Sequence, residues 1–411
     1  MSSSGPQEAR RPPSRRALLL GGAAALGTGT IGAAAAHLAS NGAVEGATPS
    51  GAESAVTVPF FGPHQGGIAT LPAQAHAVFM ALDLRPGSGP DDIRRLLRLL
   101  SDDAARLTAG KPPLGAEDPE LPGLPSRLTV TLGFGPGLFD AAGKAAPCPE
   151  VIRALPAFRT DQLQPRWSGG DLLVQVCSDD PIPLSYAVRR LVRDAKSIAT
   201  VRWVQRGFNQ ARGSEPSGTT TRNLLGQRDG SVNPSRPQDL TDVVWSRSGP
   251  EWMVGGTMLV LRRIRMDLDA WDDFGRDGKE LVMARRLATG APVTGGSERD
   301  HPDTAKTDSL GLHIVDPNAH VVQAIARSPA ERMLRRGYSF DDGPNSDGTT
   351  EAGLLFAAYQ ADAATAFVPV QTRLAESDAL NRWITHVGSA AFALPPGCVE
   401  GEFLGQQLIG A

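Results

Sequence analysis

Apolar positions recur along this chain with two periods, and the switches between them mark its elements. Residues 77–84 form a nearly unbroken apolar run of strand length, and 91–105 follow with Ile93, Leu96, Leu97, Leu99 and Leu100 at helical spacing. Residues 128–134 alternate apolar with polar or small side chains, as a half-buried strand does. The pattern then predicts a strand at 171–177, a helix at 185–194 and a strand at 199–206 that ends near Gly207-Phe208. Strand, helix, strand, strand, helix, strand is the split βαβ or ferredoxin-like plan.

The second half repeats the element order without repeating the sequence. Strands are predicted at 255–266, 354–360 and 390–394, with helices at 279–287 and 380–387. The fold class is therefore α+β, two ferredoxin-like domains at 56–215 and 216–411, each an antiparallel sheet with helices.

The first 55 residues do not belong to that pattern. Ser14-Arg15-Arg16 precedes a run of Ala, Gly and Leu that reaches about Leu38, the layout of a twin-arginine export signal. The run is far less apolar than the ~20 strongly apolar residues of a membrane span. Residues 39–55, rich in Ala, Gly and Ser, read as a linker.

Charge and cysteine usage narrow the function. The formal net charge is −3, and residues 1–40 carry four arginines against one glutamate, so a processed chain would stand near −6. Nucleic acid is excluded as a partner on that balance. Cys148, Cys177 and Cys398 lie far apart with no CxxC spacing, which supports neither zinc nor an iron–sulfur cluster. One disulfide with a spare thiol is left open, and Cys177, inside an apolar run, reads as a buried thiol. The charged segment 297–303 reads as a solvated loop. Gly133-Phe134-Gly135-Pro136-Gly137 lacks the third glycine and the Lys-Ser or Lys-Thr of a phosphate loop.

One stretch carries candidate chemistry. Gly226-Gln227-Arg228-Asp229-Gly230-Ser231-Val232-Asn233-Pro234 puts a carboxylate between glycines, with an amide four residues on. By composition alone it is a surface turn. It resembles, however, the GxxDGxxNP signature of the dye-decolourising peroxidases, a haem-peroxidase family. Phe60-Phe61-Gly62-Pro63-His64-Gln65-Gly66-Gly67-Ile68 is similar to that family's opening motif, and 170–177 to its first core strand. Trp252-Met253-Val254-Gly255-Gly256-Thr257, Leu334-Arg335-Arg336-Gly337-Tyr338 and His386-Val387-Gly388-Ser389 continue the resemblance in family order over roughly 56–411.

The resemblance implies a pair of ferredoxin-like domains enclosing a haem b pocket that belongs mainly to the second. The implied activity is reduction of hydrogen peroxide and oxidation of bulky phenolic or dye-like donors through a ferryl intermediate. Alternatives are a deferrochelatase that releases iron from haem in iron uptake, and a non-catalytic haem carrier or sensor. Implied partners are hydrogen peroxide, an organic electron donor and the twin-arginine export machinery, which carries proteins already folded with their cofactor. A homo-oligomer is left open, and the location is outside the cytoplasm or in the cell envelope.

Spacing does not choose the axial ligand among seven histidines. The resemblance selects His320, in Asp316-Pro317-Asn318-Ala319-His320-Val321, with His313 as runner-up. Where many members read His-x-Arg, this chain has Val322, so a basic contact to a haem propionate is missing or comes from elsewhere. On the peroxide side the resemblance implies Asp229 as proton shuttle, Arg336 as the stabilising cation and Asn233 as a further polar group. Arg335, its neighbour, faces the other way on an extended segment. The tryptophans and tyrosines read mostly as packing residues.

Overall fold

A computed structural model describes residues 55–410, apart from 119, 121, 122, 144–146 and 217. The twin-arginine segment lies outside the described residues. All described residues belong to one compact unit, 50–411.

The first half is built as the pattern predicts. Strand β1 (His76–Leu84), helix α1 (Pro90–Thr108), β2 (Thr129–Phe134), helix α2 (Pro136–Ala142), β3 (Leu172–Ser178), helix α3 (Pro181–Ala195) and β4 (Ala199–Phe208) follow one another. Pro90 opens α1 and Asp92 accepts from the Gly89 backbone at 3.1 Å, which stops unpaired donors at its start. Its buried stripe is Ile93, Leu96, Leu97, Leu100, Ala104 and Leu107, whereas Leu99, expected in that stripe, points to solvent. Antiparallel pairing gives the order β2-β3-β1-β4, the ferredoxin order.

The second half holds β5 (Thr257–Met266), helix α4 (Arg276–Met283), helix α5 (His320–Ala324), β6 (Leu334–Arg335), β7 (Tyr338–Pro344), β8 (Thr350–Gln360), helix α6 (Phe367–Ser377) and β9 (Ile384–Leu394). β5 lies between β8 and β9, and β7 and β6 pair with β8. The two sheets join through Phe134↔Ala393 and Phe208↔Ser339, so the strands close on themselves. Inside that closure pack Phe79, Leu173, Trp203, Leu259, Leu261, Leu355, Tyr359 and Phe392. The halves therefore share a core.

Two predicted elements change. Residues 380–387 are not a helix: a 3-10 turn at Ala379–Arg382 gives way to β9. Leu380, Trp383, Ile384 and Val387 fall at i, i+3, i+4 and i+7, but the first two belong to the 3-10 turn and its end, and β9, which holds the others, is bulged. The register passes from Arg263↔Gly388 to Ile264↔His386, leaving Val387 extra. The β-branched Ile384, Thr385 and Val387 favour the strand. Helix α4 starts three residues before the predicted 279 and stops where Ala284 turns left-handed (φ 57°). The sequence pattern also missed β6, β7, α2 and α6.

Candidate active site

Glycines shape the loop that carries Asp229. Gly226 and Gly230 have φ of 77° and 104°, which L side chains rarely adopt, and they turn the chain so that Asp229 stays tied to Thr221 O through its backbone N–H at 2.9 Å. Asn233 then clamps β6: its amide nitrogen donates to Arg335 O at 2.7 Å and its amide oxygen accepts from Arg335 N at 3.1 Å. Both functional ends of Asn233 are spent on that backbone. It lines the cavity but works as a brace, not as the further free polar group that the resemblance implied.

The braced strand decides which arginine meets Asp229. Arg335 Nη1 lies 3.6 Å from Asp229 Oδ1, with both side chains about 30% exposed, and both line one cavity. Arg336 does not line it. Arg336 is 4% exposed and points to the other side of β6, donating to Thr70 O, to Gln74 Oε1 at 2.8 Å and to Tyr338 OH at 3.3 Å. The expected assignment of Arg336 is thus corrected to Arg335, for the reason that successive residues of an extended segment face opposite ways.

His320 stands at the start of α5, and its Nδ1 is 2.6 Å from Asp378 Oδ2. Asp378 is fixed in turn, since its other oxygen accepts from Leu380 N at 2.8 Å. Burial pushes the His320 pKa down, but the Asp378 carboxylate outweighs it and the net shift is upward. With Nδ1 held, Nε2 is the nitrogen left for a ligand, and His320 lines the same cavity as Asp229 and Arg335. His313, the runner-up, sits exposed in a hairpin bridged Thr307↔His313 and does not reach the cavity. Val322 packs beside Ala284, Val315 and Ala319, while Arg327 and Arg332 line the cavity and supply basic groups there.

The cavity measures about 650 Å³. Ile264 and Met266 of β5, Leu354 and Phe356 of β8 and Ile384 of β9 line it, together with Val370 and Leu374 of α6. Behind this wall Trp271 and Trp383 meet edge to face at 5.2 Å, in the packing role expected of them. His301, from the charged loop 297–303, reaches the cavity too. All three cysteines are free thiols, and Cys177 is buried as predicted.

These residues fit haem b. Its iron is already held by a macrocycle and asks the protein for one axial nitrogen and an apolar slot. The cavity offers one imidazole with a carboxylate behind it, apolar walls and several arginines. Among the described residues no group of three or more His, Cys, Asp or Glu could hold a bare metal ion.

An α+β fold whose second half lines a cavity with a carboxylate-backed histidine and an Asp–Arg pair defines a haem-peroxidase class of protein. Residues 65–209 match the family model "Dyp-type peroxidase, N-terminal" and 220–399 match "Dyp-type peroxidase, C-terminal". The chain is 40% identical to a dye-decolorizing peroxidase of Thermobifida fusca over 98% of this chain and 99% of that one. It is 32% identical to a deferrochelatase of Shigella flexneri, over 97% of each. A DyP-type peroxidase crystal structure from Cellulomonas bogoriensis superposes with a TM-score of 0.84 at 44% identity, covering 87% of this chain and 99% of that one. Ferric DtpA from Streptomyces lividans gives 0.84 at 40% identity, covering 88% and 100%. The chain belongs to the Dyp-type peroxidase family. It is a haem peroxidase acting on hydrogen peroxide, and its cofactor is haem b.

Sequence reasoning missed Asp378, which is 58 residues from His320 and marked by no local motif. It placed Arg335 away from the site, and it put His386, another cavity residue, on a helix.

Proposed function

We propose that the cavity would hold haem b through His320 Nε2, and that Asp229 and Arg335 form the pair that would act on peroxide. The observation that carries this reading is the His320–Asp378 contact, because a carboxylate on Nδ1 fixes the tautomer and raises the basicity of Nε2. The bound haem supplies the redox chemistry that peroxide cleavage needs.

The chain's own groups do the rest. Asp229 would act as the proton shuttle, taking a proton from hydrogen peroxide and delivering it to the oxygen that leaves as water. The guanidinium of Arg335, charged at any working pH, stabilises negative charge as the O–O bond breaks and holds the Asp229 carboxylate in place. Asn233 keeps Arg335 at that station through the backbone. The apolar wall of β5, β8 and β9 excludes water and lowers the local dielectric, which strengthens both effects.

Electrons come from bulky phenolic or dye-like donors. Export through the twin-arginine route is supported by Arg15-Arg16 ahead of the weakly apolar run, and places the enzyme outside the cytoplasm. A second reading, release of iron from haem, is favoured by the deferrochelatase relatives at 32–33% identity. Purified protein is tested by its visible spectrum and by steady-state oxidation of a dye with peroxide. The peroxidase reading expects a Soret band and peroxide-dependent bleaching. Metal-free porphyrin formed anaerobically, without bleaching, favours the second.

A further inference from the structure

The bulge at Val387 sends His386 to the cavity. Without it, His386 would share the face of Gly388 and Ala390, toward the closed interior, since a one-residue slip turns every side chain over. As built, His386 pairs with Ile264 and lines the cavity beside it, 4% exposed. Its Nδ1 accepts from Arg262 Nε at 3.4 Å, and the Arg262 guanidinium is anchored by Asp161 and by Ser389 Oγ at 2.9 Å. An arginine has only donors, so Nδ1 carries no proton and Nε2 does. Burial first, and Arg262 second, push the His386 pKa down to about 3, so the ring stays neutral. Nε2–H has no partner among the described residues.

A second unpartnered donor belongs to the lining of the same cavity. Gln371 lines the cavity at 4% exposure, and its amide nitrogen is buried without a hydrogen-bond partner. It stands one turn after Phe367 on α6, hence on the same helix face. Phe367 packs on Phe158 at 6.0 Å and on the cavity residue Phe356 at 6.2 Å, and Arg262 lies over that same Phe158 ring at 5.4 Å. A buried donor left unpaired, as the Gln371 amide is, is costly, and an acceptor on a bound ligand would satisfy it.

We propose that His386 Nε2–H and the Gln371 amide form a carboxylate subsite at the inner corner of the haem cavity. An ionised carboxylate only accepts hydrogen bonds, and an imidazole whose Nδ1 is held as an acceptor by Arg262 can offer it the Nε2–H as a donor. The subsite rests on the haem reading above. The carboxylate has two sources, a propionate of the haem or the carboxyl group of an organic electron donor.

The test uses full-length holoprotein loaded with haem or with haem dimethyl ester, and follows porphyrin release to excess apomyoglobin. The wild type is expected to hold haem about tenfold longer than the ester, the scale of one to two hydrogen bonds to a charged group. His386→Phe and Gln371→Leu should each bring that ratio toward one, and His386→Gln, which keeps a donor, should retain most of it. Ester release from the same variants controls for a damaged fold. In the second arm, KM is measured for 4-hydroxybenzoate and for its methyl ester. A rise of about tenfold for the acid alone, with the haem ratio unchanged, assigns the subsite to the donor. If neither the haem ratio nor the acid-to-ester KM ratio moves in either variant, the subsite is overturned. A wild type that takes up neither porphyrin overturns the haem reading itself.

Discussion

Asp378 Oδ2 and His320 Nδ1 are 2.6 Å apart, although 58 residues of chain separate them. Helix α6 makes the meeting possible. It ends at Ser377, and Asp378 then caps the following 3-10 turn with one oxygen while offering the other to the imidazole. One residue thus terminates an element and orients a cavity group, so its replacement tests both.

Asp378→Asn keeps the size and removes the charge. Haem affinity is expected to fall about 10–100-fold, the usual effect of losing a partner behind a metal ligand. Haem titration of the haem-free protein measures it. An unchanged affinity would show that His320 is not held through Asp378.

The raised His320 pKa gives a pH dependence with a definite sign. In haem-free protein the charged pair contributes its full stability below the unfolded value near 6.5, and loses it as pH rises through the higher folded value. Iron requires the unprotonated Nε2, so haem affinity should rise over that same window while haem-free stability falls. Asp378→Asn should flatten both curves. Thermal melts and haem titrations from pH 5 to 9 read them, and parallel curves would contradict the assignment.

Arg335 and Arg336 should separate cleanly. Arg335→Leu is expected to slow reaction with peroxide by about 10²–10³ and leave the melting temperature nearly unchanged. Arg335→Lys should recover little, because the planar fork is lost. Arg336→Leu removes donors from Thr70 O and from buried Gln74 and Tyr338, and should destabilise by roughly 3 kcal/mol. Rates per folded, haem-loaded molecule should change little in that variant. The opposite pattern in stopped-flow and melting experiments would restore Arg336 to the site.

That arginine pair also shows where the sequence was legible. Periodicity found β1 to β4, α1 and α3 because their apolar faces are long and regular, and motif order pointed to Asp229 and His320, both of which line the cavity. The two-way alternation at Arg335-Arg336 was visible, but its phase was not. The phase is set by Asn233 gripping the Arg335 backbone from 102 residues away. His386 was hidden by the opposite fault, a helical-looking spacing that runs across a 3-10 turn into a bulged strand. Register and long-range contacts decide both cases, and neither is written locally.

Asn233→Ala should act through Arg335. Losing two backbone hydrogen bonds frees β6 at the cavity edge. The expected result is a fall in kcat of about tenfold with little change in the KM of the organic donor, since displaced catalytic groups cost rate before binding. Asn233→Asp, which keeps only the acceptor for Arg335 N, should lie between. A change confined to donor KM would mean that Asn233 touches the substrate instead.

Export is tested at the paired arginines. Arg15→Lys with Arg16→Lys should leave folded, haem-loaded precursor in the cytoplasm, because the pathway reads the arginine pair itself. Cell fractionation followed by activity staining measures it. Undiminished export of the double variant would assign another route.

Asp229 and Arg335 should be coupled. Asp229→Asn removes the base and leaves a hydrogen-bonding side chain of the same size, so the peroxide step should slow by about 10²-fold. If Arg335 acted only on charge developing at the peroxide, the losses of Asp229→Asn and Arg335→Leu would multiply in the double variant. Their 3.6 Å contact predicts less. Each single change also disturbs the partner's position, so the double variant should be little slower than the worse single one, a coupling of roughly 1–3 kcal/mol. Stopped-flow rates of the four proteins, compared at one pH, give that value directly. A multiplicative loss would show that the two groups work independently, and would leave the arginine's hold on the Asp229 carboxylate without catalytic effect.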